Sequence, residues 1–282
     1  VVALVGLVVA VAWPNLPYFN TSGHRFLLAQ VLIYTLVGVS LTMLLGWGGQ
    51  VSLGHFAIVG VGGYLAARWS PDLSATGLIF TCGAVGALVM VIVGLPALRV
   101  RGLTLAVTTL GFAVIASEWL YLQSWFGTEQ PVGVPMAPPP LGAGFDAPST
   151  ERDVYYLALV VLIAAIAAAT FLRRSSPGRL IVAVRDNEKA SAAFGISPAT
   201  IKLAILAVSG FFCAAAGVLW ATAWESVSPT HFSANVSIAV LAIPVIGGLG
   251  SISGAVAAAF LLYGTTYFVG PSVSGLFGTL GQ

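Results

Sequence analysis

Residues 26–67 read FLLAQVLIYTLVGVSLTMLLGWGGQVSLGHFAIVGVGGYLAA and contain no Asp, Glu, Lys or Arg. A charged side chain at the centre of a bilayer costs roughly 3 kcal/mol on insertion scales, so uncharged apolar runs of about 20 residues indicate membrane spans. This stretch of 42 residues is long enough for two spans.

The same composition extends over the rest of the chain. Hydrophobic residues make up 58% of the 282 positions and charged residues 7%, whereas soluble domains are about one quarter charged. Further uncharged runs are 73–98, 102–117, 154–172, 203–224 and 226–282. Together with residues 1–13, interpreted as a shortened first span, they predict about eight crossings. Unpaired backbone is costly in lipid and the runs are too long for barrel strands, so we predict an all-α, polytopic membrane protein with one transmembrane domain over residues 1–282.

The orientation follows from the basic residues, because cytoplasmic loops retain positive charge. Six of them lie between two spans: Arg173, Arg174, Arg179, Arg185, Lys189 and Lys202. This predicts a cytoplasmic loop at 173–200. Counting back one crossing at a time places the Pro- and Gly-rich loop 126–152 outside and Arg99 and Arg101 inside, so that eight of the eleven basic residues are on the inner side.

The cytoplasmic loop is predicted to fold as a helical hairpin. Ser176 is placed to cap a helix that begins at Pro177, and Gly195 is placed to end it. The dipeptide at 197–198 then begins a helix that enters the membrane near Lys202. Two interpretations stay open from the residues alone, an amphipathic helix lying on anionic lipid or a docking element for a cytosolic partner.

The block GWGGQVSLGH at 46–55 joins flexible and polar residues inside an uncharged run. Its glycines either let helices approach closely or break the helix, so that free N–H groups meet the carboxylate of a solute. Buried polar side chains in lipid need partners or a watery cavity, which favours a translocation pathway. The predicted pathway residues are Gln50, Ser52, His55, Thr108 and Thr109. Because no acidic residue or cysteine lies near His55, a hydrogen-bonded structural histidine is favoured over a metal ligand or proton carrier.

Catalytic chemistry has no support in the residue pattern. The glycine-rich block GGLGSISG at 247–254 is not followed by the Lys-Ser/Thr pair of a phosphate-binding loop, and apolar runs flank it. Cys82 and Cys213 each lie in an apolar run and are predicted to be small buried side chains. We therefore predict a protein that is not an enzyme, with no metal and no cofactor of its own, and no nucleic-acid partner.

The segment SSPGRLIVAVRDNEKASAAFGIS at 175–197 resembles the cytoplasmic signature of bacterial ABC importer permeases for branched-chain amino acids, of the LivM type. The matching positions include Ser175, Gly178, Arg179, Ala183, Arg185, Asn187, Glu188 and Gly195. Three further blocks, at 46–67, 94–113 and 245–255, are similar to blocks of that family in the same order. The resemblance covers residues 26–263.

The resemblance implies a permease subunit of an ATP-driven importer in the bacterial inner membrane. It implies cytosolic ATPase subunits that bind the ATP, a second related permease subunit, an external solute-binding protein and membrane lipid as partners. The residues it assigns to ATPase coupling are Arg179, Arg185, Asn187, Glu188 and Gly195. Branched-chain aliphatic amino acids are the implied solutes. Permeases for urea or short amides share the same signatures, and an ion-coupled secondary transporter is a less favoured alternative because it would need a cation site at the membrane midplane.

Overall fold

The computed structural model describes residues 13–15, 21–96, 104–124, 133–140, 147–148 and 150–269. Four of the predictions fall wholly or largely outside these residues. They are the shortened span at 1–13, the turn with Arg99 and Arg101, most of the loop 126–152, and the course of the chain after residue 269.

Eleven helices follow one another in the described part of the chain. In order they are α1 (Ser22–Leu41), α2 (His55–Trp69), α3 (Ala75–Gly94), α4 (Thr104–Glu118), α5 (Glu151–Arg174), α6 (Ser176–Asp186), α7 (Glu188–Ala193), α8 (Pro198–Trp224), α9 (Ala234–Val240), α10 (Ala242–Ile246) and α11 (Ile252–Ala259). Wider π-helical turns continue α1 over Thr42–Trp47 and α11 over Phe260–Val269. Strands β1 (Val134–Pro135) and β2 (Ser226–Val227) form one short antiparallel pair.

Five of these helices are long and apolar enough to cross a bilayer, counting only the described residues. They are α1 with its π-helical end, α3, α4 with the following 3-10 turn, α5 and α8. Two shorter apolar stretches, Ala234–Ile246 and Ile252–Phe268, follow them. The expectation of an all-α, polytopic membrane protein is thereby confirmed.

Helix α1 lies at the centre of the bundle, against α5, α8 and α11, and its side chains from residue 28 onward are buried. Helices α2 and α3 pack on α8 through small residues, as cohesion within lipid requires close backbone approach. A Cβ added to Gly217 of α8 would collide with the carbonyl oxygen of Val59, and one added to Gly62 of α2 would collide with Ala214. The glycines therefore set the spacing of these helices.

The bundle has two distinct ends. At one end, here called the basic end, the C-terminus of α1 meets α6, α7 and the start of α8. At the other, the far end, the starts of α1 and α5 and the end of α8 line a cavity of about 410 Å³. The segment 133–140 also lies at the far end, where the main-chain N–H of Met136 donates to the carbonyl oxygen of Glu225 at 2.9 Å and that of Ala75 donates to Pro140 at 2.7 Å.

The hairpin after α5 is helical as predicted, but two details differ. The cap of α6 is Ser175, whose hydroxyl accepts from the N–H of Gly178 at 3.4 Å, and Ser176 is the first helical residue. The helix also does not run unbroken to Gly195. Asn187 ends α6 and caps α7, because its side-chain oxygen accepts from the N–H of Ala190 at 3.0 Å. Gly195, with φ +79°, ends α7 as predicted.

Candidate functional site: a broken helix beside the basic hairpin

Residues 48–54 interrupt the helical course between α1 and α2, within the predicted pathway block. Gly49 turns the chain with a left-handed φ of +62°, which a residue without a side chain adopts at little cost. Helix α2 then begins at His55 with Gly54 as its N-cap and no side-chain cap. In lipid the freed backbone groups of such a segment need partners from neighbouring side chains. We call residues 46–55 the broken segment.

His55 is the last residue of the broken segment and is fully buried. Its Nδ1 lies 2.8 Å from the hydroxyl of Ser52, and its Nε2 lies 2.7 Å from the hydroxyl of Ser209 on α8. Ser209 in turn donates to the carbonyl oxygen of Ser40 on α1 at 3.1 Å. One histidine thus joins three elements of the bundle.

One assignment of the hydrogens satisfies these groups with a neutral ring, and in it the hydroxyl of Ser209 donates to Ser40. Because Ser209 uses its proton on Ser40, its oxygen accepts from His55, so Nε2 carries the hydrogen. Nδ1 of the neutral ring then accepts from the hydroxyl of Ser52. The two ring nitrogens and the hydroxyls of Ser52 and Ser209 then each have a hydrogen-bond partner, and the site carries no net charge. This arrangement suits the interior of an apolar bundle. This geometry fits the structural role favoured for His55.

Aromatic rings pack between the same three helices. The ring of Phe56 stacks on Tyr34 with centroids 5.5 Å apart, and it meets Trp220 edge to face at 5.5 Å. Tyr34 also meets Trp220 edge to face at 5.6 Å. These rings join α1, α2 and α8. The network itself is enclosed, because His55, Ser209 and Ser40 are fully buried.

Thr109 on α4 supports the broken segment from the opposite side. Its hydroxyl accepts from the main-chain N–H of Leu53 at 3.0 Å and donates to its own helix at Leu105 at 2.8 Å. Thr108 bonds only back to its own helix, at 3.1 Å to the carbonyl oxygen of Leu105. The two threonines therefore differ in their contacts, since of the two only Thr109 is hydrogen-bonded to the broken segment among the described residues.

Gln50 connects the broken segment to the start of α8. Its Nε2 donates to the carbonyl oxygen of Lys202 at 3.2 Å. The ammonium of Lys202 pairs with the carboxylate of Glu188 on α7 at 2.8 Å. A chain of contacts thus runs from the broken segment through the first turns of α8 to the hairpin.

Arg185 of α6 reaches the broken segment directly. Its Nη1 donates to the carbonyl oxygen of Gly46, and its side-chain stem crosses Gly49, where an added Cβ would lie 2.7 Å from Cγ of Arg185. The same guanidinium pairs with Asp186 at 2.7 Å. Arg185 is therefore a hairpin side chain in direct contact with the broken segment.

The remaining residues assigned to coupling are placed in and around the hairpin. Arg179 is exposed and bonds to the hydroxyl of Ser176 at 2.9 Å, so its contacts stay local. Asn187 forms the break between α6 and α7, and Gly195 lies at the exposed tip of the hairpin. The structure thus separates Arg185 and Glu188, which face the bundle, from Arg179 and Gly195, which do not.

Sequence reasoning missed several partners at this site. Ser40, Ser209 and Lys202 hold the broken segment, but none was selected from the sequence. Ser40 and Ser209 each lie within an apolar run. The presence of a hydroxyl in such a run was the sequence signal that could have identified them. In the part of the chain that the structure describes, no group of three or more His, Cys, Asp or Glu side chains is placed to hold a metal ion.

An apolar helical bundle with a broken, polar segment in its interior is the architecture of a polytopic membrane protein. Residues 25–271 match the family described as "Branched-chain amino acid transport system / permease component", and the chain belongs to this family. No solved structure matches the chain.

Curated relatives agree with this membership. The chain is 32% identical to the high-affinity branched-chain amino acid transport system permease protein LivM of Escherichia coli, with 91% of this chain and 65% of LivM covered, and the same figures hold for LivM of Salmonella typhimurium. It is 24% identical to the ribose import permease protein RbsC of Haemophilus influenzae over 93% of this chain and 81% of RbsC. The chain thus spans about two thirds of the length of the LivM proteins that it matches.

Proposed function

We propose that this chain is the membrane-spanning permease subunit of an ATP-driven importer for branched-chain aliphatic amino acids in the bacterial inner membrane. The observation that carries the proposal is the family match over residues 25–271, which includes both the broken segment and the hairpin. The geometry of the two supports the same function, because Arg185 joins them directly and Gln50 joins them indirectly, through Lys202 and its ion pair with Glu188.

The proposed topology has eight crossings and a cytoplasmic hairpin. Within the described residues, the five long helices, α2, the pair α9–α10, and α11 with its π-helical end give eight crossings. This count does not include residues 1–13, which the sequence-based count of about eight did include. At 15 residues α2 is about 22 Å long, which is shorter than a hydrocarbon core of about 30 Å, so the broken segment completes its crossing. The basic end faces the cytoplasm in this topology, because it carries the Lys and Arg cluster.

The proposed energy source is a separate cytosolic ATPase, and this chain itself binds no cofactor. Helix α6 turns Gly178, Ile181 and Val184 toward the bundle, which leaves its opposite face for a partner. At the tip of the hairpin Phe194 is 86% exposed. An exposed aromatic side chain among polar residues at a cytoplasmic surface is typical of a protein interface, and it supports docking of an ATPase at this tip.

The proposed cycle is alternating access. An external solute-binding protein delivers the solute at the far end, a second related permease subunit completes the pathway, and ATP closes the ATPase pair on the hairpin. Each ligand shifts the equilibrium between inward and outward states only by its difference in affinity for them. ATP and the loaded binding protein therefore both have to prefer one state.

The absence of charged side chains among the buried polar residues that the structure describes supports a solute with an uncharged, apolar side chain. The buried polar residues of the described part are Gln, Ser, Thr and His, without Asp, Glu, Lys or Arg. Such a bundle offers hydrogen bonds to an amino acid's ammonium and carboxylate groups but no counter-ion for a charged side chain. An aliphatic amino acid fits these conditions.

The test is uptake of labelled leucine, isoleucine, valine and urea by cells with and without the gene, before and after ATP depletion at constant membrane potential. Gene-dependent uptake of the three amino acids that stops with ATP depletion is the expected result. ATP-dependent uptake of urea alone would assign a different solute to the same mechanism. Gene-dependent uptake that survives ATP depletion would overturn the importer proposal in favour of an ion-coupled carrier.

A further inference from the structure

The end of α1 lacks backbone donors at one particular carbonyl. The N–H groups of Gly48, Gly49 and Gln50 donate to the carbonyl oxygens of Met43, Leu45 and Leu44, respectively. The next carbonyl, that of Gly46, receives its hydrogen bond from Arg185 on a different helix. A guanidinium suits this position, because the last carbonyls of a helix carry partial negative charge.

The backbone packs closely at this contact, where two glycines leave no room for a side chain of their own. Its stem crosses Gly49, and a Cβ on Gly46 would collide with the backbone of Gly250. Trp47 donates from Nε1 to the carbonyl oxygen of Gly250 at 3.1 Å. The end of α1 is thus enclosed between the hairpin and the turn before α11.

Two further contacts tie the same segment to the basic end. The guanidinium of Arg173 lies 5.7 Å from the ring centroid of Trp47, and Gln50 bonds to Lys202, which pairs with Glu188. Displacement of the hairpin therefore has to displace residues 46–50. From there, His55 and Thr109 connect the movement to α8 and α4.

We propose that Arg185 is a positioning residue that holds the end of α1 and transmits movement of the hairpin to the broken segment, instead of contacting the ATPase. The proposal rests on the proposed function, in which an ATPase moves the hairpin. It places the docking contacts at exposed hairpin residues such as Phe194, and it assigns Arg185 to the interior side.

Arg185→Ala and Arg185→Lys are the variants that test this role, with Arg174→Ala as the matched control. Arg174 is an exposed arginine at the end of α5, so its loss removes the same charge from the same end of the molecule. In the reconstituted complex, Arg185→Ala is expected to leave the amount of bound ATPase unchanged. Uptake per hydrolysed ATP is expected to fall about tenfold, because the loss of one charge-assisted hydrogen bond corresponds to a factor of about ten. Arg185→Lys is expected to restore part of the coupling, since an ammonium still donates to a carbonyl.

A second measurement does not depend on transport. A cysteine introduced as Val51→Cys reports the opening of the broken segment to a water-soluble maleimide, and the natural cysteines Cys82 and Cys213 are buried. Arg185→Ala is expected to speed this labelling about tenfold, whereas Arg174→Ala leaves it unchanged. This result is expected even if the protein carries another solute or uses another energy source.

Two outcomes would overturn the proposal. If Arg185→Ala releases the ATPase while uptake per assembled complex stays normal, Arg185 is a docking residue. If labelling at position 51 is equal in the Arg185→Ala protein and in the Arg174→Ala protein, the contact with Gly46 does not hold the segment. Failure of ATP-dependent uptake in the unaltered complex would instead refute the proposed function, with the labelling result still valid.

Discussion

The imidazole of His55 and the hydroxyl of Ser209 form a hydrogen bond of 2.7 Å between residues that are 154 positions apart in the chain. The bond joins the first residue of α2 to the interior of α8, and α8 begins directly after the hairpin. Ser209 passes the connection on to Ser40 of α1. A single buried hydroxyl thus connects three helices of the bundle.

Replacement of Ser209 with alanine is expected to destabilise the protein. The change leaves the Nε2–H of His55 and the carbonyl oxygen of Ser40 without this partner, which costs about 1–3 kcal/mol for each unsatisfied buried group. Thermal unfolding in detergent measures the effect as a lower Tm. Ser117→Ala is the control, since Ser117 on α4 bonds only to its own helix and is expected to stay within about 0.5 kcal/mol. Equal Tm values for the two variants would contradict the network.

Alanine at two glycines is expected to have effects of opposite sign. At Gly217 the new Cβ collides with the carbonyl oxygen of Val59, so Gly217→Ala forces α2 and α8 apart at a cost of about 1–3 kcal/mol. At Gly111 of α4 a new Cβ meets nothing within 4 Å, so Gly111→Ala stabilises by up to about 1 kcal/mol through helix propensity. Unfolding by heat in one detergent compares both. A stabilising effect at Gly217 would refute the close packing.

The two neighbouring threonines of α4 are expected to respond differently to valine. Thr109→Val removes the acceptor for the N–H of Leu53 and is expected to cost about 1–3 kcal/mol, while Thr109→Ser keeps the hydroxyl and most of the stability. Thr108→Val removes only a bond within the helix, so a small change is expected. Tm and uptake of the solute are measured together. If the Thr108 variant loses uptake at full stability, its predicted pathway role gains direct support.

The proposed sidedness gives a labelling prediction. A cysteine introduced as Phe194→Cys lies at the exposed tip of the hairpin, and one introduced as Glu151→Cys lies at the far end. An impermeant maleimide added to intact cells is expected to label position 151 and not position 194, because the basic cluster faces the cytoplasm. Inverted membrane vesicles should give the reverse pattern. The opposite result in both preparations would invert the topology.

The helices were predictable from the distribution of charge, but their ends were not. The uncharged run 154–172 predicted a span, and α5 extends beyond it at both ends, over Glu151–Arg174. Thr150 and Asp153 form a capping box there, and two arginines occupy the last turn. Charges mark the limit of the hydrocarbon, whereas caps and the helix dipole set the limit of the helix.

A break in the helix was one of two interpretations that the glycines of residues 46–55 left open, and the polar residues there were predicted to line a pathway. Their hydrogen-bond partners were not predicted. Gln50, Ser52 and His55 were selected because three polar residues in an uncharged run need an explanation. Ser209 and Lys202 bind them from more than 150 residues away. Hydrogen bonds between helices that are distant in sequence depend on how the helices pack. The composition of one segment does not show which helix will pack against it.

The central position of α1 has a consequence for the synthesis of the protein. Helix α1 packs most extensively against α5, α8 and α11, all of which follow it by more than 100 residues. Ser209, the partner of the Ser40 carbonyl, is translated 169 residues after it, which takes about 10–30 s at bacterial and eukaryotic elongation rates of about 5–20 residues per second.

During that interval α1 has to rest in the bilayer or in the insertion machinery without α8 and α11. Three of its hydroxyl groups need no other helix as a partner. Thr35, Ser40 and Thr42 each donate a hydrogen bond to a carbonyl oxygen of α1 itself. A helix that satisfies its own hydroxyls is compatible with lipid before the bundle exists. Helix α1, which is central in the folded bundle, is thereby stable in lipid before the later helices of the bundle are inserted.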